Sequence, residues 1–240
     1  MQDKDVLRLQ VFLAKCGVAS RRASEKIIAD GRVQVNGCIV TEMGAKVSPG
    51  DKVSVDGVSL RPEGCLRYIL LNKPSGYVCS LSDEKDRPVA ADLLKEHYKE
   101  RLYNVGRLDM FSSGLIIFTN DGDFAARLSH PSAELEKEYI VQTSVPLPRT
   151  LAAEFQHGMR IDDVFYRCLQ AHELNSHKIS ITLIEGKNRE IRNVFSHYGV
   201  GIKSLTRIRI GAVTMAGLAS GQFRELSGQE VTALLNLCKN

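Results

Sequence analysis

The 240 residues are 43% hydrophobic and 25% charged, an ordinary balance for a soluble globular chain with room for one large domain or a small one plus a medium one. The net charge of +4 is too mild to name a partner by itself, and no apolar stretch approaches the ~20 residues that span a bilayer. The N-terminal Met-Gln-Asp-Lys-Asp lacks the apolar run of a signal peptide, and the six cysteines show no C-x-x-C. These features argue against a secreted disulfide framework and predict a cytoplasmic protein whose thiols are mostly buried. Placement of charge says more than its sum. Residues 1–67 hold eleven Lys/Arg against eight Asp/Glu, and residues 187–209 hold six against one, as expected for a polyanion touched at two places.

Leu9, Phe12, Leu13 and Cys16 fall at helical spacing, and Gly17 stops the helix. A second helix starts after the N-cap Ser20, turns Ala23, Ile27 and Ile28 inward, and ends at Gly31. Arg21 and Arg22 stand in its first turn, where cations oppose the helix dipole unless they meet an external phosphate. Val33 and Val35 then alternate, Asn36-Gly37 marks a hairpin turn, and Ile39-Val40 returns. Pro49-Gly50-Asp51 is a further turn before Val53 and Val55. The chain is divided as 1–62, a linker at 63–67, and a second domain at 68–240. The first stretch resembles an S4 RNA-binding domain, on Arg8-Leu9-Gln10, Gly17-Val-Ala-Ser-Arg-Arg22 and Gly31-Arg-Val-Gln-Val-Asn-Gly37. That resemblance implies that Arg8, Arg21, Arg22, Lys26 and Arg32 face structured RNA.

Tyr68-Ile-Leu-Leu reads as a buried strand entering the turn Asn72-Lys73-Pro74-Ser75-Gly76. Leu115-Ile-Ile-Phe-Thr119 is a strand, Phe124 and Leu128 belong to a short helix ending near His130-Pro131, and Tyr139-Ile-Val is another strand. Residues 147–157 suit a helix, and His172-Glu173 reads as loop. Ile179, Ile181 and Leu183 alternate as a strand. Ile191, Val194, Phe195 and Tyr198 form a helix face, and Ile202 to Ile210 a strand with Arg207 and Arg209 on the face away from the apolar residues. Strands with interspersed short helices, not in strict alternation, predict an α+β domain on a mixed, mostly antiparallel sheet.

The chain has no P-loop, no G-x-S-x-G elbow, no dinucleotide fingerprint and no H-E-x-x-H. What remains is Gly106-Arg107-Leu108-Asp109-Met-Phe-Ser-Ser-Gly114, one acid, one base and two hydroxyls between glycines. By pattern alone such residues cap turns. The run Gly106 to Gly122, however, resembles the catalytic motif of the RsuA/RluB/RluF family of rRNA pseudouridine synthases. Leu71-Asn-Lys-Pro-Ser-Gly76, Lys137-Glu-Tyr139 and Glu185-Gly-Lys-Asn-Arg-Glu-Ile-Arg192 follow in the same family order.

The resemblance implies that uridine in rRNA, with a lean to the large subunit, becomes pseudouridine: N1–C1′ breaks, the uracil turns, and C5 joins C1′. There is no net redox change and no water is consumed, so neither cofactor nor metal is expected. Asp109 would be the catalytic carboxylate, as nucleophile or in assisting glycosidic cleavage. A carboxylate in a water-poor pocket tends to protonate, which a paired cation counters; the resemblance makes Arg192 that cation. It implies that Tyr139 stacks on the uracil and takes part in proton transfer from C5, and that Ile191 presses from the other side. Arg107 would fill the space left by the flipped base. Lys73, Lys187, Arg189 and the other basic residues up to Arg209 would hold RNA backbone. The expected partner is rRNA or a ribosomal subunit precursor, with no membrane, and the expected state a monomer. The rival readings are a non-catalytic ribosome-assembly factor and, more remotely, a metal nuclease using Asp109, Asp121 and Asp123.

Overall fold

The computed structural model describes residues 6–83 and 85–238. The chain forms two units, one holding the residues through Arg67 together with Tyr98–Arg101 and Asn120–Gly122, the other holding the remainder.

In the first unit β1 (Leu7–Arg8) leads directly into α1 (Leu9–Lys15), and α2 (Arg21–Ala29) follows. The Ser20 hydroxyl accepts from Ala23 N at 3.2 Å, satisfying one of the free donors at the start of α2. Ser24 and Ile28 are the buried residues of α2, whereas Ala23, expected inside, is exposed. The strands β2 (Val33–Val35), β3 (Cys38–Ile39), β5 (Val53–Val55) and β6 (Val58–Ser59) form an antiparallel sheet in the order β3-β2-β5-β6, while β4 (Lys46–Val47) pairs with β1. Asn36 and Gly37 both take positive φ, 52° and 84°, as a two-residue turn matching strand twist requires. Leu9, Leu13, Ile28, Val33, Val47, Val53 and Val55 make the core. Residues 63–67 are tied into this unit. Glu63 accepts from Arg101 N at 3.0 Å and from Asn120 Nδ2 at 2.6 Å, and Asn120 Oδ1 accepts from Arg67 N at 2.8 Å.

The second unit is built on β7 (Tyr68–Lys73), β8 (Tyr103–Val105), β9 (Ser113–Thr119), β10 (Lys137–Thr143), β13 (Gln170–Asn175), β14 (Lys178–Leu183), β15 (Ile202–Ile210), β16 (Val213–Thr214) and β17 (Phe223–Glu225). They form one sheet in the order β13-β14-β10-β15-β9-β7-β17, with β16 beside β15 and β8 also beside β9. Only the β9–β15 pairing is parallel, so the sheet is mixed and mostly antiparallel. A separate hairpin joins β11 (Met159–Ile161) and β12 (Val164–Tyr166). The helices are α3 (Gly122–Ser129), α4 (Leu151–His157), α5 (Glu190–His197) and α6 (Gly228–Leu237). Leu115 to Thr119 are all buried, the continuous apolar run of a strand covered on both faces.

Three further expectations are corrected. His172 and Glu173 lie in β13, not in a loop; paired only with β14, this edge strand is held by its neighbour's ladder while its own side chains, except Ala171, are exposed. The helix expected from 147 begins at Leu151, because Pro148 O closes a turn with Leu151 N at 3.1 Å before regular helix starts. Of the cysteines, Cys168 and Cys238 are buried, but Cys38 and Cys65 are exposed. Among the described residues no helix is long and apolar enough to cross a membrane.

Candidate active site

Asp109 sits in the loop between β8 and β9, and that loop is pinned from several sides. Ser112 N donates to Asp109 O at 3.0 Å, closing a turn around the carboxylate. Leu108 N donates to Cys79 Sγ at 3.3 Å. Met110 O accepts from Gly76 N at 2.8 Å and from Lys73 Nζ at 3.2 Å. Lys73 is fully buried, and its other two N–H groups go to Pro74 O and Tyr77 O, each at 2.9 Å. Burial pushes its pKa down. With all three donors used internally, Lys73 cannot grip an RNA phosphate as expected; its ammonium shapes the loop instead. The sequence shows a lysine in a turn, and turn lysines ordinarily face water.

Opposite the loop stands α5, preceded by Arg189 in the left-handed region at φ 51°. Its turns bury Ile191, Val194 and Phe195 and bring Arg192 to the carboxylate. Arg192 Nε lies 3.4 Å from Asp109 Oδ2. Nε has no aligned hydrogen bond, so this contact is charge attraction without directional bonding. Direction comes from Nη2, which donates to Phe111 O at 3.0 Å and to Ser112 Oγ at 3.1 Å. Glu190 is buried, which raises its pKa, and Oε2 accepts from Lys187 N at 3.1 Å. Arg192→Lys keeps the charge but loses the two-point hold on the turn. We expect the turn to loosen, read as faster amide hydrogen exchange at Ser112, whose N–H closes on Asp109 O.

Tyr139, on β10, is 9% exposed and lies opposite Arg207 of β15, at an irregularity in the strand register. Arg207 is buried; its Nε donates to Leu115 O at 2.6 Å and its Nη1 to Tyr139 Oη at 3.4 Å. The basic run up to Arg209 is therefore only partly outward. Arg207 is inside the sheet, and Arg209 is paired with Glu136 and Glu138 at 3.0 and 2.9 Å. Neither is a free cation for RNA backbone, and strand alternation could have suggested this, since Leu205, Arg207 and Arg209 share a face. Sequence reasoning missed Arg207 as the partner of Tyr139.

Asp109, Tyr139, Ile191, Arg192, Arg107, Lys187 and Arg189 line one small hollow of about 100 Å³. Arg107 and Arg189 are exposed at its edge, and Lys187 donates to Phe165 O at 2.7 Å and pairs with Glu185 at 2.5 Å. In the first unit Arg8, Arg21, Arg22 and Lys26 are exposed, while Arg32, also exposed, holds Asp56 through three contacts of 2.5–3.2 Å. Among the described residues no group of three or more His, Cys, Asp or Glu is placed to hold a metal ion.

Lys137 is depressed to a pKa of about 8, by burial and then by the Arg207 charge. The unfolded chain therefore binds more protons here than the folded one between pH 8 and the ordinary lysine range, so this group's contribution to stability rises with pH across that window. The difference in Tm between wild type and Lys137→Met, followed from pH 7 to 10, should shift in favour of wild type as pH rises. A flat difference would contradict a partly desolvated ammonium.

The profile of the family described as RNA pseudouridylate synthase matches residues 67–197, and that of the S4 domain matches residues 7–53. The class so defined is an isomerase acting on RNA. The chain belongs to the RNA pseudouridylate synthase family, with an S4 domain at its N-terminal side. It is 37% identical to the ribosomal large subunit pseudouridine synthase B of Bacillus subtilis (strain 168), over 95% of both chains. It is 36% identical to the protein of that name from Pseudomonas aeruginosa, over 95% of this chain and 61% of the relative. A crystal structure of a pseudouridylate synthase superposes with a TM-score of 0.69 at 27% identity, covering 95% of this chain and 99% of the other.

Proposed function

We propose that this protein isomerises a specific uridine of ribosomal RNA, in the large subunit, to pseudouridine, acting in the cytoplasm as a monomer with Asp109 as the catalytic carboxylate. The observation that carries the reading is the Asp109–Arg192 pair on a loop already fixed by Lys73, Gly76 and Cys79. A carboxylate held in place beside a cation needs no reorganisation when the base arrives. That two relatives are ribosomal large subunit pseudouridine synthases supports rRNA of the large subunit.

In this reading the target base leaves its stack and enters the hollow between Tyr139 and Ile191, with Arg107 filling the gap left in the RNA. The carboxylate assists cleavage of N1–C1′, and the freed uracil turns to present C5 to C1′. The Tyr139 hydroxyl, oriented by Arg207, takes part in removing the C5 proton. Arg189 holds backbone, as do Arg8, Arg21, Arg22 and Lys26, and Lys187 adds less because Glu185 already pairs with it. Arg32 contributes less because Asp56 already neutralises it.

The test is pseudouridine mapping of total rRNA by carbodiimide-adduct primer extension, in cells with and without the gene. One position should vanish and return with wild type but not with Asp109→Asn; an unchanged map would leave an assembly factor. The first unit has its own test. Arg21→Ala with Arg22→Ala should weaken rRNA binding and lower the slope of log K against log salt by about 1–2, one for each phosphate contact removed. An unchanged slope would take α2 off the RNA.

A further inference from the structure

Glu190 is the one acid in the basic run 187–209, and it is 3% exposed. The reading above gives it no part. Its backbone and its side chain both close on Lys187. Glu190 N donates to Lys187 O at 3.3 Å, and Glu190 Oε2 accepts from Lys187 N at 3.1 Å. The turn so closed holds Arg189 at φ 51°, a conformation that residues with a Cβ seldom take unaided. The same carboxyl meets the backbone N–H of Arg167, just past β12, and Lys187 Nζ donates to Phe165 O within that strand at 2.7 Å. At the far end of the turn, Ile184 O accepts from Lys137 Nζ at 3.2 Å. Residues 184–190 are pinned at both ends, and Ile191 and Arg192 follow directly in the first turn of α5.

This anchor carries a cost. Glu190 Oε1 is buried and has no hydrogen-bond partner among the described residues. Burial pushes the carboxyl above the usual carboxylate range; Glu185 raises it further, while the N–H groups of Lys187 and Arg167 and the Lys187 charge pull it down. The other titratable groups facing it are Lys137 on β10 and the buried Cys168 thiol, and Asp109 and Arg192 line the same hollow. A neutral group of the same shape would close the turn without leaving a buried acid half bonded. A fold that keeps such an acid beside its reactive carboxylate gives up stability for another purpose.

We propose that Glu190 is a positioning residue for the isomerisation: its charged carboxylate clamps the turn at Lys187 and so fixes where Arg189, Ile191 and Arg192 stand around Asp109. A charged acceptor holds an N–H about twice as strongly as a neutral one. When Glu190 takes up a proton the clamp slackens, Arg192 drifts from the carboxylate, and turnover falls without release of the RNA. This role rests on the rRNA reading above and adds to it a second ionisation, separate from that of Asp109.

Glu190→Gln keeps the volume and an acceptor but not the charge. Full-length wild type and variant are compared on an rRNA fragment carrying the mapped uridine, from about pH 5 to 8, above the ordinary Glu range. At about pH 8 the variant's kcat should lie about tenfold below wild type, the scale of a modest misplacement, with KM within about twofold. The gap should close as pH falls, because wild type then becomes neutral at the same carboxyl. Titration of Asp109 enters both enzymes alike and cancels in the ratio. Stability should run the other way. Across this range the folded chain binds more protons at Glu190 than the unfolded one, so wild-type stability falls as pH rises, and the variant's Tm at about pH 8 should equal or exceed that of wild type. Amide exchange at Lys187 should be faster in the variant.

An unchanged kcat, a kcat ratio constant across pH, or unchanged exchange at Lys187 would overturn the role and leave the rRNA reading standing. A variant Tm well below wild type would overturn it as well, by making Glu190 a structural support. Failure of wild type to convert the fragment would instead bring down the rRNA reading, and the positioning role with it.

Discussion

Replacing Asp109 by Asn is expected to lower pseudouridine formation by more than roughly 10³-fold, the scale on which essential acid, base or charge-stabilising groups act, while rRNA affinity stays within about threefold because no phosphate contact changes. The side chain keeps its volume, and the turn keeps its anchors, since Met110 O, Phe111 O and Ser112 Oγ are held independently of the carboxylate. Arg192 loses a charge partner 3.4 Å away, but both side chains are partly solvated, so the fold should change by no more than about 1 kcal/mol. Turnover near wild type in a purified, contamination-checked sample would remove Asp109 from the mechanism. Lost turnover together with a large drop in Tm would assign it a structural role.

Replacing Gly114 by Ala should do the reverse, harming the fold first. Gly114, the second residue of β9, has φ +103° and pairs with Arg207 in the single parallel junction of the sheet. A Cβ there would stand 2.2 Å from Arg207 O and 2.5 Å from Arg207 N. Both are backbone atoms of a central strand, so neither can swing aside. Forcing β9 and β15 apart would disturb Asp109, five residues before Gly114, and Arg207 beneath Tyr139 together. We expect a loss above about 4 kcal/mol, among the largest for single substitutions. For a chain of this size that is roughly 8–16 °C in Tm, or insoluble expression. Calorimetry showing a change within about 1 kcal/mol would mean the two strands are not in this register.

Where the sequence was legible, the cause was local. Ser20 caps α2 and Asn36-Gly37 turns β2 into β3 because the conformations they favour are set within a few residues. The loop with Asp109 was legible only through motif resemblance, since nothing in Gly106 to Gly114 states which helix will face it. Arg192 reaches the carboxylate by a fold spanning eighty-three positions. Lys73 and Arg207 were misread for one reason: the sequence reports their charge, whereas burial is decided by carbonyls and strands from elsewhere in the chain. β13 was missed because an edge strand borrows its order from its neighbour and can carry almost any polar pattern.

The first unit also has a consequence for how the protein is made. Its pieces are not contiguous: Tyr98–Arg101 and Asn120–Gly122 belong to it together with the residues through Arg67. Glu63 is the knot, joined to Arg101 by one oxygen and to Asn120 by the other. A nascent chain that has emerged only as far as Arg67 has its N-terminal core but not those partners. At ~5–20 residues per second, the roughly fifty residues up to Asn120 take several seconds more to synthesise. During that interval the Glu63 carboxylate and Arg67 N lack these partners, although Glu63 N can already donate to Lys15 O, and a protease or a chaperone would meet a half-built surface that the finished protein does not display.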